Sequence, residues 1–265
     1  MKISTKSVCT ALLLALPLAT YAQRIAVITP DAADIVVALG SFGEIVGRDQ
    51  TVQNPALKSK PSVGIHRNLT VEPIAAVKPD IVIGSWMAQP ATIFAQLKKA
   101  RINAVNAAPD DSLDAYPKSI RTIGGLIGKS AQTDRLAKKW QAEMKQMPAN
   151  GKRYLLSYDG WLAAGRNTAA DELIRRAGGI NAASAFDGFK PMTREAWLAA
   201  KTDVIIIADH NAARIGSIRK FAAQPEIAAS PAAKNGKIYL WKANDMFRYG
   251  LDTPQVVKKL NEAGK

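Results

Sequence analysis

One short pattern occurs twice in the chain, 123 residues apart. The first copy runs Thr70-Val-Glu72-Pro-Ile-Ala-Ala-Val-Lys78-Pro-Asp80-Ile-Val-Ile. The second runs Thr193-Arg-Glu195-Ala-Trp-Leu-Ala-Ala-Lys201-Thr-Asp203-Val-Ile-Ile. Threonine, glutamate, lysine and aspartate recur at matching offsets, and an apolar run follows each time. A threonine suits the cap of a helix, and an acid suits its first turn. A continuous apolar run suits a strand covered on both faces. The pattern therefore predicts a short helix feeding a buried strand, built once in each half. Two like α/β halves predict two Rossmann-like lobes with a ligand cleft between them.

Residues 1–22 read as a secretory leader. Lys2 and Lys6 make a basic start, Cys9 to Leu18 is mostly apolar, and Ala22 ends a stretch suited to cleavage. The apolar run is too short to span a bilayer, so the expectation is an exported, cleaved protein. Cys9 is the single cysteine. A mature chain without thiols excludes disulfides, thiolate metal sites and cysteine nucleophiles. Its 243 residues bury an ample core without crosslinks. Loss of the two leader lysines takes the net charge from +14 to +12. With no arginine cluster interleaved with aromatics and no zinc-finger spacing, nucleic acid is not the expected partner. An anionic ligand accounts for the basic excess better.

The expected organisation is an N-terminal lobe over residues 23–120, a linking helical region over 121–150 and a C-terminal lobe over 151–265. Arg24 to Ile28, Glu44 to Gly47, Ile81 to Ile83 and Asn103 to Val105 read as strands of the first lobe. Helices fall between them, as in alternating βα architecture. Asp114 to Met147 has helical spacing and no strand, although Gly124, Gly125 and Gly128 weaken its middle. It reads as one or two helices joining the lobes. Arg153 to Ser157, Val204 to Ile207 and Lys237 to Leu240 are the expected strands of the second lobe, and Thr253 to Glu262 is the closing helix.

Ligands of open α/β sheets lie beyond the carboxyl ends of the strands. That rule nominates Thr29, Trp86, Met87, Tyr158, Trp161 and His210. His66 and His210 are the only histidines. His66 lies just before the first repeat helix, where an imidazole can ligate iron or bond a carboxylate. Arg67, Arg166, Arg214 and Arg248 occupy loops near the crevice and suit carboxylates. Aromatics make up only 6% of the chain, yet Trp86, Tyr158, Trp161, Trp241, Phe247 and Tyr249 recur at those loops. Such flat apolar area suits a broad conjugated ligand. Met87 fills gaps or ligates iron. No HExxH, no phosphate-loop ending, no nucleophile elbow and no placed carboxylate pair occurs, so an enzyme is not expected. Glu72 and Glu195, at mirrored positions, suit the dipole of their helix starts or, as a pair, the arginines of a two-subunit membrane partner.

The chain resembles the periplasmic substrate-binding proteins of ATP-driven importers for haem, cobalamin and ferric siderophores. The resemblance is carried by Val63 to Ile83, Gly165 to Asn181, Gly188 to Glu195 and Gly250 to Pro254, and is greatest to the haem-binding branch. It implies a two-lobed clamp joined by one long helix, with haem edge-on in the cleft. It also implies an inner-membrane permease dimer with its ATPase as partner, docked through Glu72 and Glu195, and an outer-membrane uptake system upstream. The haem branch commonly carries a ligating tyrosine directly after the Val-Gly of the first segment. Here that position is Ile65. His66 is the metal ligand expected in its place, with Tyr158 or His210 approaching from the other lobe. Cobalamin or a ferric siderophore is the alternative cargo, and a structural envelope protein is the remote one.

Overall fold

The computed structural model describes residues 22–265, so the leader expected over residues 1–22 lies, apart from Ala22, outside the described residues. The first lobe alternates strand and helix: β1 (Ile25–Val27), α1 (Pro30–Ala38), β2 (Ile45–Arg48), α2 (Val71–Ala76), β3 (Ile81–Gly84), α3 (Ile93–Lys99) and β4 (Ala104–Asn106). Its four strands are all parallel, in the order β2-β1-β3-β4. β1 and β3 are buried along their whole length, as centre strands covered by helices on both faces must be.

Two helices follow, α4 (Ala115–Leu126) and α5 (Ser130–Glu143). The link is thus a helical hairpin and not the one long helix that the resemblance implies. Gly128, at φ 69°, takes the left-handed turn that stops α4. The two helices pack closely: a side-chain carbon placed on Gly124 would overlap Thr133. Among the described residues, no helix is long and apolar enough to cross a membrane.

The second lobe comprises β5 (Arg153–Ser157), β6 (Leu162–Ala164), α6 (Ala169–Arg176), β7 (Ile180–Asn181), β8 (Phe189–Pro191), α7 (Arg194–Ala200) and β9 (Val204–Ala208). Four helices of four or five residues come next, α8 (Ala212–Ile215), α9 (Ile218–Ala222), α10 (Pro225–Ala228) and α11 (Pro231–Lys234). β10 (Ile238–Trp241), α12 (Ala243–Met246) and α13 (Thr253–Ala263) complete the lobe. β10, β9, β5 and β7 are mutually parallel where they pair, as expected for this lobe. β6 and β8 add an antiparallel arm. The cause is local. Asp159 Oδ1 accepts from the N–H groups of Trp161 (2.9 Å) and Leu162 (2.8 Å), and Gly160 sits at φ 91°. The chain reverses within four residues, too few for the crossover a parallel neighbour needs.

The sequence repeat is a structural repeat. In the first lobe, Asp80 accepts from the backbone N–H of Arg24 at 2.8 Å, while the Arg24 guanidinium donates to the carbonyls of Val77 and Lys78 at the end of α2. In the second, Asp203 accepts from the N–H of Arg153 at 2.8 Å, and Arg153 donates to the Ala200 carbonyl at the end of α7. Lys78 (φ 48°) and Lys201 (φ 44°) both turn left-handed at the helix exit. Each arginine therefore ties a helix end to the strand beside it. The result fixes where the amino end of each helix lies, at the carboxyl edge of its sheet.

A single buried apolar cluster crosses between the lobes. It runs from Ile25, Ile35 and Ile83 through Tyr116, Trp140 and Met144 to Tyr154, Leu173 and Leu260. Tyr116 and Trp140 rings lie 5.0 Å apart, and the Trp140 indole N–H donates to the Gly250 carbonyl at 2.8 Å. The two outer faces carry separate clusters, one for each lobe.

If the arginine–aspartate lock holds each module, Asp80→Ala and Asp203→Ala each lower unfolding free energy by about 1.5–3 kcal/mol, the range for a hydrogen bond to a charged group. Urea denaturation checks this, and a loss within error at either site would remove that lock from the account.

Candidate functional site

The cleft between the lobes holds a cavity of about 510 Å³, within the range of ligand pockets in general. The first lobe contributes His66, Arg67, Trp86, Met87 and Gln89, and the second contributes Tyr158, Leu162, Phe189, Ala243, Asn244, Phe247 and Arg248.

The wall of the first lobe is two loops bonded to each other. The chain leaving β2 runs beside residues 62–64: Val63 N–H donates to the Arg48 carbonyl at 2.9 Å, and Gln50 N–H to that of Gly64 at 2.8 Å. Gly64, at φ 110°, makes the bend that a residue with a side chain resists. The Gln89 N–H donates to the His66 carbonyl at 2.6 Å, and the Leu69 N–H to the Gln89 carbonyl at 2.8 Å. These bonds join the His66 loop to the loop leaving β3. That second loop is held in turn by Ser85, whose hydroxyl donates to Asp31 at 3.0 Å.

His66 is buried, and its ring is held on one side. Nδ1 lies 3.3 Å from Asp49 Oδ2 and 3.2 Å from Thr51 Oγ1. Asp49 is fully buried. Burial pushes its carboxyl up, but hydrogen bonds from His66 and Thr51 outweigh this and hold it below the usual range. Among the described residues, no hydrogen bond engages His66 Nε2. Ile65, at the position of the expected family tyrosine, does not line the cavity.

The facing wall is aromatic. Tyr158 and Phe247 rings lie 5.9 Å apart, and Phe247 and Phe189 5.3 Å apart in an edge arrangement. At the floor, Arg248 is buried and donates to Asp34 of α1 at 3.0 Å and to the Tyr249 carbonyl at 3.2 Å. Its Nε has no hydrogen-bond partner among the described residues. Arg67 is exposed at the rim.

The structure thus brings His66, Arg67, Trp86, Met87, Tyr158, Phe247 and Arg248 to one cavity. Seven other candidates do not line it, and of these Thr29 and Trp241 are buried. His210 packs behind Tyr158, rings 5.0 Å apart, without lining the cavity. Trp161 is exposed in the β5–β6 turn and does not line the cavity. Arg166 pairs with Asp187 at 3.0 Å, and Arg214 with Asp159 at 3.0 Å. Tyr249 turns into the core against Trp140. Leu162, Phe189 and Asn244 reach the cavity without a signal of their own in the sequence. Phe189 lies in one of the family-like segments, the one hint available. Glu72 and Glu195 are exposed in the first turns of α2 and α7. Hydrogen bonds from its own N–H and from Thr193 hold the Glu195 carboxyl below the usual range.

A model of the family described as periplasmic binding protein matches residues 25–244. The chain is 26% identical over 201 residues to an uncharacterized ABC transporter substrate-binding lipoprotein, YvrC, of Bacillus subtilis strain 168. That match covers 71% of this chain and spans 64% of the relative's length. Among solved structures, the apo periplasmic heme-binding protein RhuT from Roseiflexus sp. RS-1 is 30% identical with a TM-score of 0.83, over 92% of this chain and 100% of that one. The periplasmic heme-binding protein BhuT, in complex with two hemes, is 29% identical with a TM-score of 0.84, over 91% and 97%.

Beneath Trp86, a second, small cavity is lined by Asp31, Asp110, Asp111, Tyr116 and Arg248. Burial, with repulsion from Asp31 and Asp110, pushes the Asp111 carboxyl up from 3.8 to about 7. The folded chain then keeps a proton that the unfolded chain releases near 3.8. Stability from this group is full below that value and is lost as pH rises through about 7. Asp111→Asn does not titrate. The wild-type urea midpoint should therefore fall relative to that of Asp111→Asn between about pH 5 and about pH 8. Parallel midpoints across that span would show the carboxyl to be ionised at both ends.

Proposed function

The chain belongs to the periplasmic binding protein family, and from that membership and the cleft we propose that it captures haem in the periplasm and delivers it to an ATP-driven importer. Membership makes it a carrier and not a catalyst, and implies the partners of an ABC importer, a permease and its ATPase.

The observation that carries the haem reading is the pairing of one oriented imidazole with aromatic walls. Trp86 on one side and Tyr158, Phe189 and Phe247 on the other present flat apolar area to both faces of a conjugated ring. His66 offers its free Nε2 to the iron. One protein ligand suffices there, because the porphyrin supplies its own four nitrogens. A bare ion would need several protein donors, and no cluster of three or more His, Cys, Asp or Glu side chains suited to one occurs among the described residues. Arg67 at the rim holds the propionates, which share one edge of the ring, by charge-assisted hydrogen bonds, while Arg248 at the floor stays paired with Asp34. Met87 packs against the ring edge.

Delivery rests on Glu72 and Glu195. α2 and α7 run antiparallel to the strands they feed, so both glutamates stand at the carboxyl edges of their sheets, the edge at which the cleft opens. Exposed Leu198, one turn after Glu195, adds apolar area to that docking face. The proposed partner is an inner-membrane permease dimer whose basic residues meet the two acids, with an outer-membrane uptake system supplying the haem.

Titration with haemin should give a shifted Soret band, and His66→Ala should weaken binding by about 100-fold, the upper end of what loss of even an outer-shell partner costs. A haemin spectrum unchanged by the protein would end the haem reading and leave a corrinoid or ferric siderophore as cargo.

Glu72→Lys together with Glu195→Lys should leave the haemin affinity unchanged while stopping transport into proteoliposomes that carry the cognate importer. Undiminished transport by the double variant would remove both glutamates from the docking face.

A further inference from the structure

Asp49 has no role in holding a ring or a propionate, yet it is fully buried and directly behind the proposed iron ligand. Its carboxylate accepts from the Thr51 N–H at 2.8 Å, from the Thr51 hydroxyl, from the His66 N–H and from His66 Nδ1. Among the described residues, no lysine or arginine pairs with it, and His66 is its only charged or chargeable partner within ion-pair distance. A buried carboxylate in that setting cannot donate, so the hydrogen between it and the ring belongs to Nδ1. Thr51 reinforces the choice. Its hydroxyl hydrogen is given to Asp49, which leaves only a lone pair to face Nδ1. Two acceptors thus converge on one ring nitrogen, so the neutral ring carries its proton on Nδ1 and leaves Nε2 bare.

We propose that Asp49 is a positioning residue that turns His66 into a strongly donating Nε2 ligand and so makes the site prefer ferric over ferrous haem. The proposal rests on the haem reading and deepens it. A metal-bound imidazole whose other N–H is bonded to a carboxylate gains basicity, and such partners change metal affinity by 10–100-fold. A more basic ligand stabilises the more positive iron. The ferric porphyrin core carries one positive charge more than the ferrous core, and the buried Asp49 anion favours the same state. The oxidised form is the one expected in an oxidising compartment, and the site would retain it while holding reduced haem less tightly.

Two measurements decide the matter. In the unmodified, ligand-free protein, nitrogen-15 NMR of the imidazole should find His66 protonated at Nδ1 and bare at Nε2. A neutral ring with its proton on Nε2 would overturn the proposal, and this result needs no variant to fold. In the haem-loaded protein, Asp49→Asn should lose at least about tenfold in ferric relative to ferrous affinity, which raises the one-electron midpoint potential by about 59 mV. If His66→Ala changes the Soret band but Asp49→Asn leaves the midpoint where it was, Asp49 only braces the loop and the haem reading survives alone. If the wild type does not bind haemin, the haem reading itself fails, and ferric selection falls with it.

Discussion

The cleft exists because one apolar core refuses to stop at the boundary between the lobes. Trp140 of α5 touches Tyr116 of α4, meets the edge of Tyr249 and donates to the Gly250 carbonyl. Close by, Arg248 reaches Asp34 of α1. Large aromatic side chains in van der Waals contact set a distance that neither sheet sets alone, since interiors of this density do not deform smoothly. The width available to a ligand is therefore decided at the floor, by Trp140 and its neighbours, before any wall residue is considered. A helical hairpin at that floor adds two packed helices where a pair of loop strands would add two hinges.

On this base, each lobe delivers its half of the wall by the same device. Arg24 with Asp80, and Arg153 with Asp203, bind a helix end to the start of a strand. With the helix end fixed, the helix start is fixed too, and the loop before it lies over the carboxyl edge of the sheet. In the first lobe that loop carries His66 and Arg67. In the second, the segment before α7 is β8, and it carries Phe189. The repeat thus positions different chemistry in equivalent places, an imidazole and a cation on one side and an aromatic ring on the other.

How much of this was legible from the sequence depended on distance along the chain. β1, β3, β5 and β9 and the helices α1, α2, α6 and α7 announce themselves through apolar runs, caps and first-turn acids. β6 and β8 do not. Each has three residues, and β8 ends in Pro191, which reads as a breaker. Their pairing depends on the Asp159 turn, whose two hydrogen bonds become visible only in three dimensions. The same limit divides the site. His66, Trp86 and Tyr158 adjoin strongly patterned elements and fall where strand-end logic puts them. Arg166 and Arg214 look just as suitable in sequence, but Asp187 and Asp159 capture them. Tyr249 and Arg248 are neighbours on the chain, so one faces the core and the other the cleft, and spacing alone does not say which.

A carrier must hold its cargo and also give it up, and a stiff floor makes wide opening an expensive route to release. The short path between the proposed docking acid and the proposed ligand offers another. Only five residues separate His66 from Glu72. Between them, buried Leu69 is tied to Gln89, and Gln89 is tied back to His66. Force applied at the first turn of α2 meets this small bonded loop before it meets the core. The His66 main chain moves with that loop, and Asp49 on the exit of β2 is bonded both to the His66 N–H and to Thr51. A displacement of the loop therefore strains both contacts of Asp49 with His66, at the main-chain N–H and at Nδ1. On the proposed reading, that weakens the ligand's donor strength at the moment the carrier is docked, with no rotation of one lobe against the other.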